Sequence, residues 1–213
     1  MKNLSVLGVF LFFISACNQP SIDYDKVRND KNIVIKSFSS LPTIDIKDKK
    51  PIVLNLGKEH KDVIILDGIR TFASKLSIPF TQNRFSVKIA ASAQSGFFSP
   101  KILFLDENYK IIKTSEASEL FFDRGVFKGT IFVNKNYKKI QYIIVTEDLK
   151  YKNRKETLNY VTATTIPVTT GMYTFYYTAS SGDLNRTIKS SSGGHIELML
   201  DIYKASILGE EEK

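Results

Sequence analysis

Few residues in this chain are of the types that do chemistry, and their spacing narrows the options further. There are two histidines and one cysteine in 213 residues. His60 sits in "GKEHKD", which reads as a turn, and His195 opens the apolar-alternating stretch "GHIELMLDIY" beside Glu197. A zinc site needs three or four converging ligands, and two distant histidines offer no such spacing. The chain has no Gly-x-Ser-x-Gly elbow, so a serine nucleophile has no local support. The carboxylate pairs Asp106/Glu107 and Glu116/Glu119 read as turn-forming or solvated charge. A glycosidase would need two carboxyls facing each other across a cleft. "DENYK" lacks the period of a calcium loop. No catalytic residue, metal site or cofactor is expected, and the chain is read as a non-enzyme.

The cysteine carries a different chemistry. Cys17 follows Lys2, the apolar run Leu4 to Phe13 and the small residues Ser15-Ala16, which is the layout of a secretory signal peptide over residues 1–16. The run is too short for the ~20 residues of a membrane-crossing helix. Ile14-Ser15-Ala16-Cys17 resembles the lipobox of bacterial lipoproteins. That resemblance implies cleavage before Cys17 and acylation of its thiol, which becomes the membrane anchor. Asn18 follows it, whereas the inner-membrane retention pattern of Gram-negative lipoproteins uses Asp there. The expected location is therefore the periplasmic face of the outer membrane, with surface display left open.

An apolar fraction of 43% is enough for a real core. With no cysteine beyond Cys17, that core must supply the stability. Lys and Arg total 30 against 22 Asp and Glu, a net charge of +8 that favours anionic surfaces. The basic residues are scattered among turns, and no nucleic-acid-binding motif is present. Nucleic acid is not an expected partner.

The elements that must position any site read as strands. "RFSVKIAAS" places Phe85, Val87 and Ile89 on one face, and Ile196, Leu198, Leu200 and Ile202 alternate in the last apolar stretch. Further short Val/Ile/Phe/Tyr-rich runs follow at 52–56, 63–66, 72–78, 101–106, 110–114, 127–133, 140–146 and 172–178, separated by turn residues. The expected fold is all-β: a single antiparallel, jelly-roll-like β-sandwich over residues 34–205. Each strand is expected to bury one side and to pair mostly with a sequence neighbour. Residues 17–33 read as a lipidated, flexible tether, and 206–213 as a polar tail. No amphipathic helix is expected beyond one turn at 117–122. Two polar stretches, 147–160 and 179–194, read as insertions, the second one mobile.

"LDGIRTFASKLSIP", "FFSPKILFLDENYKII", "FKGTIFV", "YIIVTEDL" and "GGHIELMLD" follow one another between residues 66 and 201. In this order and spacing they resemble the maltose operon periplasmic protein (MalM) family. The resemblance implies an envelope-located, mostly β protein that serves as an accessory in maltose or maltodextrin uptake. The family has no established catalytic residues to carry over. Thr146-Glu147 stands in place of its usual Thr-Thr, and the charged 150–156 segment is particular to this chain.

Ligand-binding candidates are aromatic residues in polar surroundings, because sugar rings stack on aromatic faces while their hydroxyls seek amides and charges. Phe97, Phe98, Tyr151, Tyr160 and Tyr173 are the candidates. For the Phe pair, burial in the core is the competing reading. The expected partners are the membrane, through Cys17, and a glycan or an envelope transport protein. The alternative is a structural or adaptor lipoprotein that docks on an outer-membrane protein or on peptidoglycan and binds no free sugar.

Overall fold

A computed structural model describes residues 22–94, 96–170 and 173–203; for 160–170 and 173–184 the description is of the backbone. One short helix, α1 (Tyr24–Arg28), precedes the strands β1 (Thr43–Asp45), β2 (Pro51–Leu56), β3 (Val63–Leu66), β4 (Ile69–Ser77), β5 (Phe85–Ser92) and β6 (Pro100–Leu105). There follow β7 (Ile111–Ser115), β8 (Phe121–Asp123), β9 (Val126–Val133), β10 (Tyr142–Glu147), β11 (Lys155–Thr170), β12 (Tyr173–Lys189) and β13 (Gly194–Ile202).

Two sheets form the body. One runs β2-β13-β5-β9-β8; the other runs β1-β4-β10-β6-β7, with β3 also on β4. Without the short edge strands β1, β3 and β8, the orders β2-β13-β5-β9 and β4-β10-β6-β7 are those of a jelly roll, two interlocked Greek keys. The fold is therefore the all-β sandwich expected. Its strand-to-strand pairing is antiparallel except for β1 on β4. Pairing is not mostly local, however. β13 lies between β2 and β5, and β10 between β4 and β6, so the interior of each sheet is built from strands far apart in sequence.

The alternation of β5 and β13 does what period-two patterns do: Phe85, Val87, Ile89, Ile196, Leu198 and Leu200 are buried between the sheets. There they meet Phe72, Leu76, Phe104, Ile143 and Val145 from the facing sheet. The other sheet departs from one-sided burial. The outer side of β4, β6 and β10 carries Ala73, Leu103, Leu105 and Ile144 in a second cluster, covered by Leu41 and Phe38. The segment before β1 folds over that sheet, and a doubly covered strand reads as a continuous apolar run.

Residues 24–28, expected to be tether, are helical and belong to the body. Asp23 caps α1 through a hydrogen bond from the Lys26 amide (3.0 Å). The Arg28 guanidinium is buried and donates to Glu147 Oε2 (3.0 Å) and to Asp25 Oδ1 (2.6 Å). Ser192 Oγ also donates to Asp25 Oδ1 (2.8 Å). Gly57, at φ +81°, and Gly193 leave the space that the Tyr24 ring occupies, and a methyl group at either would collide with that ring. Sequence periodicity cannot show this five-residue helix, because its packing surface is one buried arginine with Tyr24 and Val27 beside it.

The two polar insertions are not loops. They are the roots of one long hairpin, β11–β12, of 16 and 17 residues, inserted between β10 and β13. At roughly 3.3 Å per residue each strand extends about 50 Å. Its root joins the body: among the described side chains Leu158 and Ile188 enter the core, and the Phe97 amide donates to the Lys189 carbonyl (3.0 Å). Ser190 and Ser191, expected to be mobile, bond to Arg154 and Phe97 backbone groups at 2.8 Å each.

Candidate functional site

Of the sequence candidates, Phe97 and Phe98 are corrected by the structure. Both are fully buried. Phe97 packs edge-on to Phe122 (5.4 Å between ring centres) and tilted to Phe127 (6.1 Å). Phe98 lies against Gly194, where an added Cβ would come within 2.5 Å of the Phe98 Cβ. Their polar flanks, Gln94 to Gly96 and Ser99, suggested a surface. The chain instead turns inward there to lock the hairpin root.

Tyr151 is half-buried. Its ring meets Phe127 edge-on at 5.5 Å and is covered on one face by the Arg154 guanidinium at 4.8 Å. Tyr160 and Tyr173 lie on the hairpin, opposite Leu184 and Thr170, and their side chains are outside the described residues. Cys17 lies outside them as well. Among the described side chains, Phe97, Phe98 and Tyr151 do not form an exposed aromatic platform.

The carboxylates have local duties. Asp106 closes the β6–β7 turn by accepting from the Asn108 and Lys110 amides at 2.9 Å each. Glu116 pairs with Lys150 (2.5 Å), whose hydrogen bond holds its carboxyl below the usual range. Glu119 accepts from Ser115 Oγ (3.0 Å). Burial pushes the Glu147 carboxyl up to about 7, against the pull of Arg28. Among the described residues no three His, Cys, Asp or Glu side chains are placed to hold a metal ion. No described helix is long and apolar enough to cross a membrane.

A concave site does exist, at residues the sequence did not single out for binding. β13 sits between β2 and β5, so the register puts His195 beside Asn55 on one flank and Ser92 on the other, on one face of the sheet. At this end of the strands an open cleft of about 270 Å³ is lined by Tyr24, Asn55, Lys58, Ser92, Gln94 and His195. Asn55 Oδ1 lies 2.9 Å from His195 Nδ1, and the Asn55 amide nitrogen donates to Glu59 (3.0 Å), which fixes the orientation of the side chain. Burial raises the Tyr24 phenol above its ordinary value. The cleft offers one aromatic ring, two amides, a hydroxyl, an imidazole and an ammonium. Such a set can form hydrogen bonds to a small polar molecule.

Body and cleft define a jelly-roll β-sandwich with a small polar cleft at one end of its five-stranded sheet and a long hairpin arm. No family model matches the chain, and neither a curated protein nor a solved structure matches it.

Proposed function

We propose that this chain is a lipid-anchored, non-enzymatic protein of the bacterial cell envelope, acting as an accessory in carbohydrate uptake in the manner of the maltose operon periplasmic proteins. The observation that carries the sugar reading is the cleft. Tyr24 supplies an aromatic ring next to the amides of Asn55 and Gln94, and concave sites with few convergent polar groups are where small ligands bind. Cys17 provides the anchor. From Cys17 to Asp23 the chain can extend only ~20 Å, so an acylated Cys17 holds the body close to the bilayer.

The test is calorimetric titration with maltose and longer maltodextrins, using a chain that starts at Asn18 and keeps every described residue. Saturable heat is expected, with affinity reduced roughly tenfold by Asn55→Ala, the loss of one good hydrogen bond. Heat that persists unchanged in Asn55→Ala places the sugar elsewhere, and silence across the series removes the sugar role. The second reading, an adaptor without free-sugar binding, is favoured by one feature, the projecting hairpin arm.

A further inference from the structure

The arm combines three properties that a loop covering a soluble body does not need. First, it lacks charge where it is longest. Tyr160 to Thr170 on β11 and Tyr173 to Gly182 on β12 contain no Asp, Glu, Lys or Arg, in a chain that is 24% charged. Each run matches the ~9–11 residues with which a tilted strand crosses a bilayer.

Second, its register sorts it into two unlike faces. Ile166, Val168 and Thr170 share a face with Tyr177, Phe175 and Tyr173, their partners across the ladder. Thr165, Pro167 and Thr169 share the other face with Thr178, Tyr176 and Thr174. One face is rich in Ile, Val, Phe and Tyr and the other in Thr, with Pro167 and Tyr176 among them, and such apolar–polar alternation is the pattern of a strand that has lipid on one side and a polar lumen on the other.

Third, β11 and β12 form a two-stranded sheet, and among the described residues neither pairs with a third strand over this length. Both outer edges therefore carry unpaired amides and carbonyls. A lone hairpin is marginal in water, and open edges do not occur in hydrocarbon. Edge-to-edge closure with other hairpins satisfies both demands. Pro167 subtracts one donor at most from that ladder.

We propose that the β11–β12 hairpin is a membrane-inserting arm, crossing a lipid bilayer as one part of a β-barrel closed by the arms of several copies of this chain. The inference goes beyond the carbohydrate reading and does not depend on the cleft. Root and anchor are compatible, since Ser192, just past the end of β12, bonds to α1, which follows the Cys17 segment.

The experiment uses the chain from Asn18, which lacks the signal peptide and Cys17, so any membrane affinity belongs to the folded protein. It is mixed with phosphatidylethanolamine/phosphatidylglycerol vesicles loaded with a self-quenched dye, floated, and crosslinked. Flotation, dye release and crosslinked multimers are expected. Val168→Lys/Phe175→Lys should lower release about tenfold or more, because lysine on a lipid-facing position at mid-bilayer costs that much. Thr169→Lys/Thr174→Lys adds the same charge to the other face and should preserve release. Replacing residues 160–184 with Asn-Gly should abolish release while the thermal midpoint holds, which separates loss of the arm from loss of the fold. Equal effects of the two lysine pairs, flotation of monomers without release, or no flotation would each overturn the proposal. So would silent vesicles together with crosslinking of the arm to an envelope protein.

Discussion

The jelly-roll body and the β11–β12 arm are made of the same antiparallel ladder, but they satisfy their backbones differently. In the body, β13 has a partner on both sides, β2 and β5, and presents Ile196, Leu198 and Leu200 to the opposing sheet. In the arm each strand has one partner over most of its length. Two strands can be equally alternating in sequence and still owe their stability to different things, in one case to a facing sheet and in the other to whatever completes an open edge. On β11 the border falls where Leu158 leaves the core and the charge-free run begins at Tyr160, and on β12 Asp183 and Arg186 lie between that run and the buried Ile188.

The largest effect that would sharpen this contrast lies in the body. Phe104→Ala removes a ring that is fully buried 6.3 Å from that of Phe85, and should cost about 3–5 kcal/mol in urea unfolding. A loss below about 1 kcal/mol would mean that the sandwich core is not what holds the body together.

Gly96→Ala tests the border itself. An added Cβ would collide with the Lys189 carbonyl oxygen, the group that receives the Phe97 amide, so the last residue of β12 must shift. Overpacking of this kind costs about 1–3 kcal/mol. Unchanged stability would show the root to be loosely held and the arm free to swing.

The smallest effect is a pH dependence. Glu147 ends β10, where body passes into arm, and its carboxyl is raised from 4.5 to about 7 by burial, with Arg28 opposing. The folded chain thus holds more protons than the unfolded chain between those two values. Stability contributed by this group therefore falls as pH rises from about 4.5 to about 7, and is level on either side. Between pH ~5 and ~7.5 the thermal midpoint should drop by a few degrees more in the wild type than in Glu147→Gln. Parallel curves would show that Glu147 titrates normally.

The body was largely legible in the sequence, and particular residues show why. Phe85-Val87-Ile89 and Ile196-Leu198-Leu200 alternate because each has one buried face, and a period of two survives any change of partner. Partner choice itself left no local mark, so the neighbours of β13 could not be read. The Asp106 turn was visible because its chemistry is local: one side chain accepts two nearby amides. The cleft was not visible, since Tyr24, Asn55, Gln94 and His195 converge only when three strands and a helix meet. Of the arm only the run 172–178 was read as a strand, and the rest was missed for the opposite reason. Its Thr- and Ser-rich alternation lacks the aliphatic contrast of a core strand, and its charged roots read as solvated loops. Phe97 and Phe98 were misleading because a buried hairpin root borrows its polar neighbours from the surface it approaches.

The place of β13 also has a consequence in time. This strand reaches both of its partners, β2 and β5, from the far end of the chain, and the whole arm lies between it and β10. As the polypeptide emerges from its N-terminus, β2 and β5 must wait with a strand-wide gap between them until Gly194 and its successors arrive. Such late, long-range closure makes for slow folding with exposed edges in the interim. The sandwich can therefore close only after the whole arm has been made.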